Sequence, residues 1–137
     1  MTINLLGLIA AFTAFFSIWF GHVAVRKIES ISRTIWIPST IFSILGVSCE
    51  WLSVKAPSLQ IATVFGILGI TLLFDSFELT RQQRRIIRGH APANPDNPRH
   101  AKILREYPSA TKLDLLKRDP TSFLVSVSDS SEIRKKP

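Results

Sequence analysis

FDSFELTRQQRRIIRGHAPANP, Phe74–Pro95, is the stretch where this chain changes solvent. Before it runs Leu59–Leu73, apolar and without a charged residue. Asp75 and Glu78 fall at the end of that run, and Arg81, Arg84, Arg85 and Arg88 follow at once. Gly89 offers a helix stop, and Pro92 and Pro95 block easy continuation. A long helix that leaves a lipid phase and ends in water reads this way.

The charge distribution supports that reading. The chain has 137 residues, with 17 Lys+Arg against 10 Asp+Glu. Residues 1–80 hold only Arg26, Lys27, Arg33 and Lys55 as basic residues, and the rest of the basic charge lies beyond them. The excess begins where an apolar run ends. It is therefore read as the positive-inside bias and attraction to anionic lipid headgroups, and not as a nucleic-acid surface.

Two further apolar runs precede the third. Leu5–Val25 contains no Asp, Glu, Lys or Arg, and at about 1.5 Å per residue it covers a hydrocarbon core of roughly 30 Å. It lacks a basic start and is long for a signal peptide, so it is read as a retained span. Ile35–Val54 is the second, with Pro38 in its first turn, where proline is tolerated. The expected fold is all-α, with spans at about 5–25, 35–54 and 59–77. The last helix should extend to about residue 88. The expected organisation is a transmembrane domain, 1–89, followed by a mostly irregular tail, 90–137. Ala10, Ala14, Ser17 and Gly21 share one face of span one, Gly46 lies on a small-residue stripe of span two, and Gly66 and Gly69 mark span three. Such stripes let helix backbones approach closely.

With three spans, the N-terminus and the loop Lys55–Ser58 share one side, and the loop Arg26–Arg33 and the tail share the other. The basic residues are concentrated on the second side. The expectation is a cell membrane protein with its N-terminus outside and its tail cytoplasmic. Trp19, Trp36 and Trp51 are expected near span ends.

In the tail, Asn97 reads as an N-cap with Pro98 at the first helical position, giving a short helix to about Tyr107. Thr111–Arg118 could add a turn or two, and Thr121–Val127 is β-prone. No tail segment can bury a core alone, so the tail must lie on something or stay mobile. Arg99, Lys102, Leu113 and Leu116 are the residues expected to dock it on a partner or a lipid surface.

Glu78-Leu79-x-x-Gln82-x-x-Arg85-Ile86-x-Arg88-Gly89, followed by Pro92-x-Asn94-Pro95, resembles the end of a family of small prokaryotic membrane proteins, domain of unknown function 4491. Gly21-His22-x-x-x-x-Lys27-x-Glu29 resembles that family's stretch after span one. The resemblance covers residues 1 to about 98 and implies three spans. It supplies no reaction. His90-Ala91 stands where the family has Trp-Phe, and Val23 where it has proline.

His22, Arg26, Lys27, Asp75 and Glu78 form the candidate polar cluster, at the tail-side mouth of the bundle. Ionisable residues in spans can move ions or protons, and at an interface they can also simply pin helices. Glu50 is expected near the opposite face, most of a hydrocarbon thickness from that cluster. Bis-histidine haem needs two histidines at matching depth, and only His22 lies in a span. The lone Cys49 excludes a cysteine zinc cluster, and no HExxH, Gly-x-Ser-x-Gly or phosphate loop occurs. No cofactor, metal, small-molecule substrate or enzymatic chemistry is therefore expected. The function expected is a small accessory subunit of a larger membrane complex, with other membrane subunits as partners. The alternative is a self-assembled small transporter or channel using the polar cluster.

Overall fold

The computed structural model describes residues 4–114. They form four helices: α1 (Leu5–Ile31), α2 (Trp36–Lys55), α3 (Leu59–Ile87) and α4 (Pro98–Glu106). α1, α2 and α3 are long and apolar enough to cross a membrane, and the chain is a multi-pass membrane protein. Their outward faces carry large apolar side chains, as a lipid solvent requires.

α1, α3 and α4 start on a polar cap, and α2 starts after Ile35 without one. The Asn4 side chain accepts from Gly7 N at 3.1 Å, Ser58 Oγ from Ile61 N at 3.4 Å, and Asn97 Oδ1 from Arg99 N at 3.0 Å. α2 has 20 residues, about 30 Å by the helical rise, so it matches a hydrocarbon core. α1 has 27 and α3 has 29, so both exceed that thickness. α3 was expected to extend, and it does so to Ile87. α1 was not: it runs through residues 26–31, which the sequence reading placed in a loop. Its buried residues Gly21, Val25 and Glu29 explain this. They recur every four residues and continue the small-residue stripe beyond the span.

α3 is the central helix. α1 and α2 each pack along it and hardly touch each other. The α2–α3 contact is closest at two glycines, where a Cβ on Gly46 would lie 3.0 Å from the Gly69 carbonyl oxygen and 2.7 Å from Leu73 Cγ. Serines lock the same interface on its tail side. Ser76 Oγ donates to Ser39 O at 2.8 Å, Ser39 Oγ donates to Ser76 O at 3.0 Å, and Ser43 Oγ lies 2.7 Å from Ser76 Oγ. In lipid, where apolar contact gives little net drive, close backbones and such bonds hold helices together.

α3 ends in a Schellman turn. Gly89 N donates to Ile86 O and His90 N to Arg85 O, and Gly89 has φ 74°. The chain then returns over the turn it has just made. Ser109 passes above Gly89, with its Oγ donating to Ile87 O at 2.6 Å, and a Cβ on Gly89 would strike the Ser109 carbonyl. Ile86, Ala91, Ala93 and Ile103 form a small buried core, with Ile87, Leu104 and Ala110 packed against it. Ala91, Ala93 and Ile103 of the tail are thus buried on the protruding end of α3. α4 has the N-cap and first-position proline expected of it. Thr111–Asp114 is not helical, and the remainder of the turn expected there, with Thr121–Val127, lies outside the described residues.

Candidate functional site

Two acidic side chains are buried at the tail-side half of the bundle, one on each long helix. Glu29 of α1 is 1% exposed and Asp75 of α3 is 4% exposed.

Glu29 closes a polar cap. Arg99 Nη2 donates to Glu29 Oε1 at 2.8 Å and to Glu29 O at 2.5 Å, and Arg99 Nε donates to Ser32 O at 3.2 Å. Asn94 Nδ2 donates to Ser30 O, and Asn97 Nδ2 to both Ser30 O and Ser32 O. The last carbonyls of α1, which have no partner inside the helix, are therefore satisfied by the tail. His100 is fully buried. Its Nδ1 accepts from Asn94 N at 2.9 Å, which puts the ring proton on Nε2, 3.1 Å from Glu29 Oε1. Arg99 Nη1 is buried with no hydrogen-bond partner among the described residues.

Arg99 was expected to point at a partner or a lipid surface, and the fold turns it inward. Lys102 does face solvent, 3.7 Å from Glu106. Leu113 is exposed, and Leu116 lies outside the described residues. Glu29, Asn94 and His100 were not singled out for a role. The four-residue spacing Gly21, Val25, Glu29 was the signal that Glu29 faces inward.

Asp75 is different. No hydrogen bond reaches its carboxylate from any described residue, although His22 and Glu78 are close enough to act on its charge. Its carboxyl group lies against the α1 backbone at Gly21, where any Cβ would collide with it. On its other side is an open groove of about 430 Å³ between α1 and α2, floored by α3 and almost wholly apolar. Trp19 lies midway along the extended α1 and lines this groove.

The expected polar cluster is divided by the structure. His22, Asp75 and Glu78 are near one another, with Glu78 3.5 Å from Arg81. Arg26 and Lys27 instead line a separate cavity with Glu29, Gln82 and Pro92. Below the groove, Arg81, Arg84, Arg85, Arg88 and His90, with Glu78, surround a mainly basic cavity of about 370 Å³. The packing residues are used inside the chain: Gly21 receives Asp75, Gly46 meets Gly69, and Gly66 faces Ser53 Oγ. Ala10, Ala14 and Ser17 are partly buried.

Glu50 also departs from its expected place. Its Oε1 lies against Gly69, 2.6 Å from where a Cβ would be. Gly69 is six residues from Asp75, about 9 Å along the helix axis. The antiparallel register of α2 on α3, not the nominal end of a span, sets its depth.

Three membrane-spanning helices around a central α3, closed at one end by a returning tail, define the class of this protein. Residues 4–97 match the family described as "Domain of unknown function (DUF4491)", and the chain belongs to that family. The cap joins the two stretches that resemble it, through Glu29 and Asn94, with Arg99 and His100 supplied from beyond the matched residues. Neither a curated protein nor a solved structure matches the chain.

Proposed function

We propose that this protein is a small, self-assembling membrane transporter or channel that works through the carboxylate of Asp75. One observation carries the reading: Asp75 is 4% exposed, has no hydrogen bond from the described residues, and borders an open groove within the span. An acid in that setting is costly, and a fold retains it where something from outside completes it. Glu50, about 9 Å along the axis by the helical rise, is a second ionisable group at membrane depth. The tail side is cytoplasmic in this proposal, and the basic cavity of Arg81, Arg84, Arg85 and Arg88 takes anionic headgroups. No covalent chemistry is involved.

The accessory-subunit reading is the second one. Two of its motives are partly met within the described residues: Gly21, Gly46, Gly66 and Gly69 pack inside the chain, and the tail buries Ala91, Ala93 and Ile103 on α3. What favours it still is the apolar wall of the groove, where Leu45, Leu68 and Leu72 could receive a partner helix. Purification in mild detergent with native mass analysis, followed by reconstitution, separates the two. A homogeneous homo-oligomer that carries flux in liposomes, lost in Asp75→Asn, supports the first. A stable hetero-complex without flux overturns it.

A further inference from the structure

We propose that the groove between α1 and α2 binds a lipophilic monovalent cation, such as a quaternary ammonium, a phosphonium or a protonated aromatic amine, against Asp75. This rests on the reading that Asp75 is completed from outside the chain.

The groove has the right size, charge and walls. Its volume of about 430 Å³ falls in the range of roughly 300–1,000 Å³ found for small-molecule sites. Phe16, Trp19 and Phe20 line it from α1, and Phe42 lines it from α2. Aromatic faces attract a desolvated cation, and they suit one with an apolar shell. The carboxylate borders the cavity, and Gly21 is what makes this possible. Any larger residue there would occupy the carboxylate's place on the α1 backbone.

Other ligands fit less well. A metal ion needs several oxygen donors. Besides Asp75, the lining offers only the hydroxyls of Ser17 and Thr71, and Thr71 Oγ1 already donates to Ile67 O at 2.7 Å. A hydrophilic amine would leave donors unmet on apolar walls. An anion would face Asp75 directly, with Glu78 nearby. Glu78 lies 3.5 Å from Arg81 and His22 is near Asp75, but the groove lining itself holds one carboxylate and no basic side chain, so it selects a single positive charge. The ligand would enter from the lipid, which the groove faces.

The test uses the full chain in lipid nanodiscs, with tetraphenylphosphonium as probe and tetraphenylborate as the control of equal size and opposite charge. Saturable phosphonium binding is expected, with no saturable borate binding. Asp75→Asn should weaken the phosphonium at least tenfold, and Phe42→Ala should weaken it several-fold with the carboxylate intact. Circular dichroism and melting temperature confirm that each variant is folded. If Asp75→Asn fails to fold, Gly21→Ala, which displaces the carboxylate, should give the same selective loss. Equal binding by wild type and Asp75→Asn, or equal binding of both probes, overturns the cation site. If wild type binds no phosphonium but holds a polypeptide that Asp75→Asn releases, the cation site is overturned and Asp75 is still completed from outside. If Asp75→Asn changes neither and melts far below wild type, Asp75 is a structural residue and both readings fall.

Discussion

Glu29 and Asp75 are both buried acids on long helices of one small bundle, and they are treated in opposite ways. Glu29 receives an arginine and a histidine, and the tail that brings them also satisfies the end of α1. Asp75 receives a glycine, which makes room for it and gives it no bond. A buried charge is tolerable when paired and expensive when not. A chain that goes to such lengths for one acid and leaves the other without a hydrogen bond separates a structural role from a role that requires access. The difference also follows solvent. The cap stands on the parts of α1 and α3 that exceed the hydrocarbon thickness, where polar partners are available. Asp75 borders an almost wholly apolar groove, with His22 and Glu78 near it.

The largest effect should come from breaking the structural acid. Glu29→Ala leaves the Arg99 charge without its carboxylate and His100 without its acceptor. Removing one member of a buried pair costs about 3–5 kcal/mol. The Arg99 side chain is 13% exposed, so the lower end of that range applies. Thermal unfolding in detergent should show a clear fall in midpoint, and limited proteolysis should cut between residues 90 and 114. Arg99→Ala added to Glu29→Ala should recover part of the loss, since the stranded charge is then gone. A tail that stays resistant in Glu29→Ala would mean that the small apolar core alone holds it.

Next comes the α2–α3 seam. Gly69→Val would drive its side chain into Glu50 and the Gly46 carbonyl, which lies 3.0 Å from the Cβ position. Backbone cannot step aside as a side chain can, so a cost of about 1–3 kcal/mol is expected. The same change at Gly7, whose Cβ position meets only Asn4 at 3.7 Å or more, should do much less. Equal midpoints for the two variants would show that the seam is looser than its glycines imply.

Asn97→Ala should follow with about 1 kcal/mol, the typical value of a lost N-cap. It also removes donors to Ser30 O and Ser32 O, so the sum should exceed a simple cap. Proteolysis within α4, compared with cleavage in Lys102→Ala, reads this out. Lys102 makes one exposed pair with Glu106, and such pairs contribute about 0–1 kcal/mol.

Much of this molecule was legible from its residues, because lipid and water impose strong patterns. Three long apolar runs, the Gly89 stop and the Asn97-Pro98 start were each a local signal with a local cause. The cap was not legible in the same way. Arg99 looked like surface charge, because nothing near it in sequence says that Glu29 awaits it seventy residues away. Glu50 was misjudged because depth was counted along one helix, whereas the glycine contact between α2 and α3 fixes it. Asp75 was noticed as a polar residue at a span end. Its lack of a bond, and the groove beside it, depend on α1 and α2 packing on α3 while standing apart from each other, which no single run of sequence encodes.

The smallest stability effect should be that of Asp75→Asn, and it bears most directly on the contrast. The amide matches the carboxylate in size, so the space beside Gly21 stays filled and no cavity forms. No hydrogen bond from the described residues is lost, because none reaches the carboxylate. A buried charge with no hydrogen bond from the described residues is removed, which favours the folded bundle. The midpoint should therefore stay within the roughly 0.5 kcal/mol scatter of harmless substitutions, or rise. Glu29→Gln, an equally conservative exchange, should lower it, since Arg99 loses its counter-charge. Measured side by side in one detergent, the two amides test whether these acids differ in kind. If Asp75→Asn falls as far as Glu29→Gln, then Asp75 is held by a partner within the chain, and the distinction drawn between the two acids fails.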